Sequence, residues 1–415
     1  MKLGKRHAVI ALAFGASLAI VSSGIAQEKK TEVTFLYGLG GELGKAIEVM
    51  ISNFNASQND ITVKGEFSGS NYEAVVTKAL AGIAAGSPAA DILQLEVSYW
   101  PRFAGVGALV QLSNLEGFKS TFDAFWPVFK KQADPEGDGR VFALPWNNSN
   151  PVLYYNPEML AKAGIKIEDI RTYPKMREAA KKIKAANGVA AVAIESFPWV
   201  LEGALISNKT QIVKNGKLNL TSPEALEVIE NWAGFFRDGT AIVGNANSNL
   251  DFCAGKIALR FSSVASRPQI KNNCKFAFKV APLPYFKTPA VPVGGATLAI
   301  SKGIAPEKIA GAWKFMSWLA QPQQQFTWIK MSNYVPITRT TSDYAPFKEY
   351  LRSEQGLDMG VRQLPYANPR PSSPAYFQVA QEIVKSLESI YLQNAPVKAT
   401  IEELVNRTSP LFNAK

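Results

Sequence analysis

The chain has 415 residues, of which 47% are apolar and 19% are charged. This length is greater than that of one ordinary domain, so we expect two lobes in a soluble globular protein. The net charge of +11 is compatible with an anionic solute. No basic stripe with interleaved aromatic residues occurs, which argues against a nucleic-acid partner.

The first 26 residues predict a secretory signal peptide. Three basic residues within the first six precede an apolar run from Ala8 to Val21, and small residues mark a cleavage site after Ala26. The run is short for a membrane span, which needs about 20 residues, so cleavage is favoured over anchoring. We therefore expect residues 27–415 to be a periplasmic protein.

Histidine and cysteine usage restricts the chemistry further. His7, inside this segment, is the only histidine, which excludes Ser-His-Asp catalysis and histidine-based metal sites from the mature protein. Cys253 and Cys274 form one disulfide or remain free thiols, and the sequence leaves this open. The acidic run at 134–145 lacks the twelfth-position glutamate of an EF-hand loop and predicts a turn. We expect no metal site and no cofactor.

From residue 31 the chain alternates strands and helices. Apolar alternation predicts strands, and apolar residues three and four apart predict amphipathic helices. The predicted strands are 31–38, 60–69 and 90–97, and the predicted helices between them are 41–57 and 71–86. This order indicates a largely parallel sheet covered by helices.

A second series of strands and helices begins after residue 145, and further strands and helices follow to the C-terminus. Its predicted strands include PVLYYN (151–156), VAAVAIES (189–196) and 256–263, and a helix at 222–239 begins after the N-cap Ser222. The chain therefore predicts a second α/β lobe. Ligands of such folds bind on the loops that follow the strands.

Six short segments on these loops carry a family resemblance. They are GELGK (41–45), NYE (71–73), PWNNSNPVLYYNPE (145–158), VGGATL (293–298), NYVPIT (333–338) and NPRPSSPAYFQV (368–379). In this order they resemble the periplasmic solute-binding proteins of ABC importers, a family that binds carbohydrates and related polyols. NYE makes them most similar to the glycerol-3-phosphate branch of that family.

The resemblance implies a class II periplasmic-binding-protein fold, with two α/β lobes around a cleft and three crossovers. The implied boundaries place 27–142 and 282–335 in the N-terminal lobe, and 143–281 and 336–415 in the C-terminal lobe. Members of the family close on a ligand and present it to a membrane permease. The implied partners are therefore a small molecule and permease subunits, and we expect a monomer without enzymatic activity.

The resemblance also implies a ligand site. The implied residues are Tyr72, Glu73, Glu96, Ser149, Gly294, Gly295, Tyr334 and Arg370. Glu73 would accept hydrogen bonds from glycerol hydroxyls, and Arg370 would supply the bidentate positive charge that a phosphate requires. Gly294 and Gly295 would let a ligand approach the backbone.

Two departures from the glycerol-phosphate branch affect the expected ligand. Ser196 stands where that branch has a tryptophan that packs on glycerol, with Phe197 or Trp199 as substitutes, and Tyr37 lies in a first loop that also differs. Glycerol-3-phosphate or a glycerophosphodiester is favoured. A neutral mono- or oligosaccharide is the alternative.

Two other classes of protein are compatible with an exported chain. A secreted carbohydrate-active enzyme would need two carboxylates about 5–10 Å apart, and Glu73 and Glu96 are the candidate pair. A structural or adhesive protein would bind no solute and would show no stabilisation by a ligand.

Overall fold

The computed structural model describes Met1 and residues 30–69, 71–353 and 356–413. The predicted signal peptide, including His7 and the cleavage site, lies outside these residues apart from Met1. Within the described part of the chain, no helix is long and apolar enough to cross a membrane.

The secondary structure alternates strands and helices, as the sequence predicts. The strands are β1 Thr31–Tyr37, β2 Ile61–Phe67, β3 Ile92–Glu96, β4 Ala143–Ser149, β5 Pro151–Tyr155, β6 Ala190–Glu195, β7 Val213–Lys214, β8 Lys217–Leu218, β9 Ala241–Gly244, β10 Ile257–Ser263, β11 Lys279–Ala281, β12 Val291–Pro292, β13 Gly294–Ile300 and β14 Ala367–Asn368. The α-helices are α1 Gly41–Ser57, α2 Tyr72–Ala84, α3 Trp100–Gly105, α4 Phe118–Asp123, α5 Pro127–Ala133, α6 Pro157–Lys162, α7 Tyr173–Asn187, α8 Trp199–Ser207, α9 Pro223–Arg237, α10 Ser248–Cys253, α11 Arg267–Asn273, α12 Pro306–Leu319, α13 Pro322–Ser332, α14 Arg339–Asp343, α15 Ala345–Ser353, α16 Met359–Arg362, α17 Tyr376–Gln393 and α18 Val397–Asn413.

Two five-stranded sheets form the centres of two lobes. The first sheet has the order β2-β1-β3-β13-β4, and the second has the order β11-β5-β10-β6-β9. In the first sheet β1 pairs in parallel with β2 and β3, while β13 runs antiparallel between β3 and β4. In the second sheet β6 lies parallel between β10 and β9. The predicted two-lobed α/β fold is confirmed.

The strand pairing corrects the predicted lobe boundaries. Ser149 of β4 pairs with Gly294 of β13, so 143–149 belongs to the first sheet and the chain changes sheets at Asn150. The boundary predicted after residue 142 is therefore one strand too early. A strand's periodicity shows that it is half or fully buried, but not which sheet it joins.

The third predicted boundary, at residue 335, is also wrong. Helices α14 and α15 remain with the first lobe, because the Phe326 ring of α13 packs 5.8 Å from Tyr344 and 5.9 Å from Tyr350. Helices α17 and α18 instead pack against α9 of the second lobe. The second crossing lies between Ala281 and Gly294, a stretch that includes the predicted position 282.

Two smaller features outside the sheets are the cysteine pair and the acidic run at 134–145. Cys253 and Cys274 are joined in a disulfide, with 4.2 Å between their Cα atoms, which ties α10 to the end of α11. Asp134 accepts hydrogen bonds from the N–H groups of Gly137 and Gly139, as expected for a turn. In the described part of the chain, no group of three or more histidine, cysteine, aspartate or glutamate side chains is placed so that it could hold a metal ion.

Candidate functional site

A cluster of hydroxyl and amide groups lies at the edge of the first sheet where β3 ends. The Tyr72 and Tyr334 hydroxyl oxygens are 3.4 Å apart, and Asn147 Nδ2 donates to the Tyr72 oxygen at 2.9 Å. Gln94 Nε2 donates to Asn147 Oδ1 at 3.1 Å, which holds the amide in this orientation. We call Tyr72, Asn147 and Tyr334 the hydroxyl–amide cluster. Taken over the whole residue, Tyr72 stays partly exposed.

Local structure places each member of the cluster. Tyr72 is the first residue of α2, whose N-cap Asn71 accepts the Ala74 N–H. Tyr334 directly follows Asn333, whose positive φ of 56° ends α13. The Tyr334 ring then stacks on Trp328, with 5.6 Å between the ring centroids.

The stretch PWNNSN follows the alternation of a β-strand. Trp146 lies in the first core and stacks on Trp328 at 4.8 Å, whereas the next residue, Asn147, reaches Tyr72. The Asn148 backbone carbonyl accepts the Val335 N–H at 2.9 Å. These contacts make the polar stretch a buried strand of the site rather than a surface loop.

Both tyrosine hydroxyls are protonated near neutral pH. Burial, followed by the neighbouring Tyr334 hydroxyl, raises the pKa of Tyr72 well above its ordinary value. Burial also raises the pKa of Tyr334. Each hydroxyl can therefore both donate and accept a hydrogen bond, which suits the hydroxyl groups of a polyol.

The two glycines of β13 permit close contacts within the protein. A Cβ on Gly294 would lie 2.4 Å from the Trp199 ring, and a Cβ on Gly295 would lie 1.9 Å from the Asn147 carbonyl oxygen. Trp199 also donates its Nε1–H to the Val293 carbonyl at 2.9 Å. Trp199, at the start of α8, thus brings the second lobe onto the first sheet at Gly294. Trp199 fills this space at Gly294 and the Asn147 carbonyl fills it at Gly295, and the approach of a ligand to these glycines stays a prediction.

Arg370 lies at the centre of a buried ionic cluster that joins the lobes. Its Nε and Nη2 donate to the two carboxylate oxygens of Glu202 at 2.8 and 2.9 Å, and its Nη1 donates to Glu96. The Tyr376 hydroxyl donates to Glu202. Glu96 ends β3 in the first sheet, while Glu202 is on α8. We call Arg370, Glu96, Glu202 and Tyr376 the Arg370 cluster.

Burial and charge act in opposite directions within this cluster. Burial opposes the charge of Arg370, but Glu202 and then Glu96 outweigh it and hold the pKa of Arg370 well above its ordinary value. Burial raises the pKa of Glu96, although Arg370 opposes this change. One guanidinium therefore faces two carboxylates, and an anionic ligand would have to compete with Glu96 for Nη1.

The residues at the two departures from the glycerol-phosphate branch are divided between two locations. The Phe197 ring lies 5.4 Å from the Arg370 guanidinium carbon, and Ser196 beside it is buried. Tyr37 is not part of this site, because its hydroxyl donates to Glu48 of α1 and its side chain is buried in the first core. Position in a loop after a strand does not reveal this inward orientation.

The remaining predicted residues lie beside the two clusters. Glu73 accepts a hydrogen bond from the Tyr99 hydroxyl at 3.2 Å, and Ser149 lies opposite Gly294 in the sheet. Glu73 and Glu96, the pair that an enzyme would use, both accept hydrogen bonds from other side chains of the protein. Glu96 accepts from the Ser98 N–H and hydroxyl in addition to Arg370.

Sequence reasoning missed Glu202, Asn147 and Tyr376. The sequence did carry a signal for Glu202, because it is the single acid in the apolar helix segment WVLEGALIS. The structure buries this side chain, which is 2% exposed. An acid in such a helix needs a buried partner. The sequence did not identify Arg370, 168 positions away, as that partner.

Comparison with known proteins agrees with this architecture. The family described as bacterial extracellular solute-binding protein matches residues 49–352. The sn-glycerol-3-phosphate-binding periplasmic protein UgpB of Escherichia coli strain 536 is 24% identical over 431 aligned positions, covering 98% of this chain and 97% of UgpB.

Solved structures show the same fold. UgpB from Mycobacterium tuberculosis in complex with glycerophosphocholine superposes with a TM-score of 0.85 at 24% identity, covering 93% of this chain and 99% of that one. The cyclic α-maltosyl-1,6-maltose binding protein of Arthrobacter globiformis superposes with a TM-score of 0.78 at 20% identity, covering 92% and 99%.

Proposed function

The chain belongs to the bacterial extracellular solute-binding protein family, the solute-binding components of ABC importers, and on this premise we propose that its ligand is a small polyol phosphate. Glycerol-3-phosphate or a glycerophosphodiester is captured in the periplasm and delivered to the permease subunits by a monomer. The protein acts by binding and not by catalysis.

The hydroxyl–amide cluster is the observation that carries this proposal. Tyr72, Asn147 and Tyr334 come from three distant parts of the chain and converge within hydrogen-bond distance of one another. Such a group of donors and acceptors matches the vicinal hydroxyls of glycerol. Convergence of polar groups at the ends of strands is typical of a binding site.

The phosphate would bind at the Arg370 cluster. In the proposed complex it takes Nη1 of Arg370 from Glu96, while the bidentate contact with Glu202 continues to orient the guanidinium. Because burial raises the pKa of Glu96, this carboxyl is protonated more readily than an exposed one. A protonated Glu96 neither repels the phosphate nor competes with it.

A neutral sugar is the second candidate ligand. The observation in its favour is that Glu96 and Glu202 already compensate the charge of Arg370, so the site does not require an anion. Among the structural neighbours, the Arthrobacter globiformis protein is a binding protein for a cyclic maltosyl-maltose.

Titration calorimetry on residues 27–415 separates the two candidates. Glycerol-3-phosphate, glycerophosphocholine and maltose are compared in the wild type and in Tyr334→Phe. We expect the wild type to bind only the phosphorylated ligands. In Tyr334→Phe the affinity for these ligands should fall about 2–10-fold, because one hydrogen bond is lost. Binding of maltose alone would favour the neutral-sugar function, and binding of none would refute both.

A further inference from the structure

A cavity of about 450 Å³ lies in the second lobe at the carboxyl ends of β6 and β9. Phe197, whose ring packs on Arg370, lines it and so connects it to the candidate site. The polar lining includes Ser196, Asn249, Arg260, Ser262, Ser266 and Glu388.

Two buried polar atoms at this cavity have no partner in the described part of the chain. Arg260 is 4% exposed, and its Nε and Nη2 donate to Asn249 and Glu195 at 3.0 and 2.5 Å, but its Nη1 is unpaired. Ser196, also 4% exposed, has an unpaired hydroxyl. More than about 90% of buried polar groups in proteins are paired. Two unpaired groups bordering one cavity indicate a ligand or an ordered water.

Strand alternation explains why an arginine is buried here. In β10 the neighbours Leu259 and Phe261 pack into the second core, so Arg260 and Ser262 lie on the opposite face. An arginine at this position adds nothing to the apolar core, and its charge is compensated by Glu195. The guanidinium is thus held at the cavity wall with one donor group unused.

The charges around the cavity restrict the class of ligand. The lining holds Arg260 together with two carboxylates, that of Glu195, which Arg260 contacts, and that of the exposed Glu388, so it has no positive charge left for a second anion. Hydroxyl groups can accept from Arg260 and exchange hydrogen bonds with Ser196. The Phe197 ring offers an apolar face for carbon-bound hydrogens. This combination suits a neutral, hydroxyl-rich group.

We propose that this cavity receives the second alcohol of a glycerophosphodiester, a neutral polyol such as a second glycerol, while the glycerol phosphate occupies the candidate site. The inference rests on the proposed function and narrows its ligand to a diester of two polyols. It assigns Arg260 and Ser196 as the groups that distinguish the diester from glycerol-3-phosphate.

Calorimetry with matched ligands tests this inference. We expect wild-type residues 27–415 to bind glycerophosphoglycerol about tenfold more tightly than glycerol-3-phosphate, the factor expected for about 1.4 kcal/mol. Glycerophosphocholine, with a cationic alcohol, tests whether a hydroxyl-rich alcohol is preferred. Equal affinity for the diester of glycerol and for glycerol-3-phosphate overturns the inference.

Two variants locate the effect. Ala246→Phe fills the cavity from an exposed lining position, and we expect it to abolish the diester advantage without changing glycerol-3-phosphate binding. Thr288→Phe, in a different depression of the chain, is the matched control and should leave both affinities unchanged. An unchanged diester advantage in Ala246→Phe contradicts the inference.

Ser196→Ala distinguishes a ligand contact from a structural role. Removal of an unpaired buried hydroxyl should raise the melting temperature of the free protein whether Ser196 contacts the ligand or has only a structural role. Only a ligand contact would weaken diester binding at the same time.

A crystal structure of the diester complex with only water beside Arg260 would also overturn the inference. If glycerol-3-phosphate binds and the second glycerol adds nothing, this inference alone fails; if no glycerol phosphate binds, the proposed function fails with it.

Discussion

Neutralising Glu202 tests whether the Arg370 cluster is buried and ionic in solution. The change Glu202→Gln keeps the size of the side chain but removes one of the two carboxylates that hold Arg370. Both side chains are 2% exposed, so water cannot replace the lost interaction. The expected result is a large loss of stability from a substitution that alters almost no volume.

The magnitude follows from the hydrogen bonds in the cluster. Glutamine can accept from only one of the two Arg370 N–H groups that now contact Glu202, and its own N–H₂ would face the other. Loss of a charge-assisted hydrogen bond costs about 1.5–3 kcal/mol, and an unpaired buried donor costs about 1–3 kcal/mol. With Glu96 remaining as a partner, we expect a net loss of about 3 kcal/mol, at the lower end for a broken buried ion pair.

Urea denaturation followed by tryptophan fluorescence and circular dichroism measures this loss. The matched control is Glu230→Gln, because Glu230 and its partner Arg237 are 49% and 41% exposed, and an exposed pair contributes less than about 1 kcal/mol. If Glu202→Gln costs no more than this control, at an unchanged slope against urea, the reasoning from burial is wrong.

Three further predictions concern packing, the disulfide and pH. Gly294→Ala should destabilise the protein by about 1–3 kcal/mol, because the Trp199 ring must move. Gly105→Ala is the control: its added Cβ would lie 3.6 Å from the nearest atom, so it should cost less in the same denaturation assay. Replacing Cys253 and Cys274 by serine should lower the free energy of unfolding by about 3 kcal/mol, since the bridge spans 21 positions. An equal urea midpoint for the wild type with and without reductant would contradict this. Glycerophosphocholine affinity, measured by calorimetry, should fall as the pH rises through the pKa of Glu96, which burial holds above its ordinary value. The ionised Glu96 then competes for Arg370, and Glu96→Gln should remove this dependence.

Local patterns in the sequence were sufficient for the elements and for the family. The strand at 31–37 and the helix at 41–57 lie where alternation and helical spacing predict them, because backbone conformation and burial of one face are decided over a few neighbouring residues. The order of the quoted segments predicted a two-lobed solute-binding fold. The proposed polar site at strand ends follows from the same segments.

Only the tertiary structure decided how distant segments combine. It placed β4 in the first sheet, turned Tyr37 away from the site, and paired Arg370 with Glu96 across 274 positions and with Glu202 across 168. Periodicity shows that a residue is buried, whereas the charge that it meets there depends on how the lobes pack. The sequence predicted a phosphate-binding arginine, and the folded chain supplied two carboxylates for it, one of which, Glu96, a phosphate would have to displace.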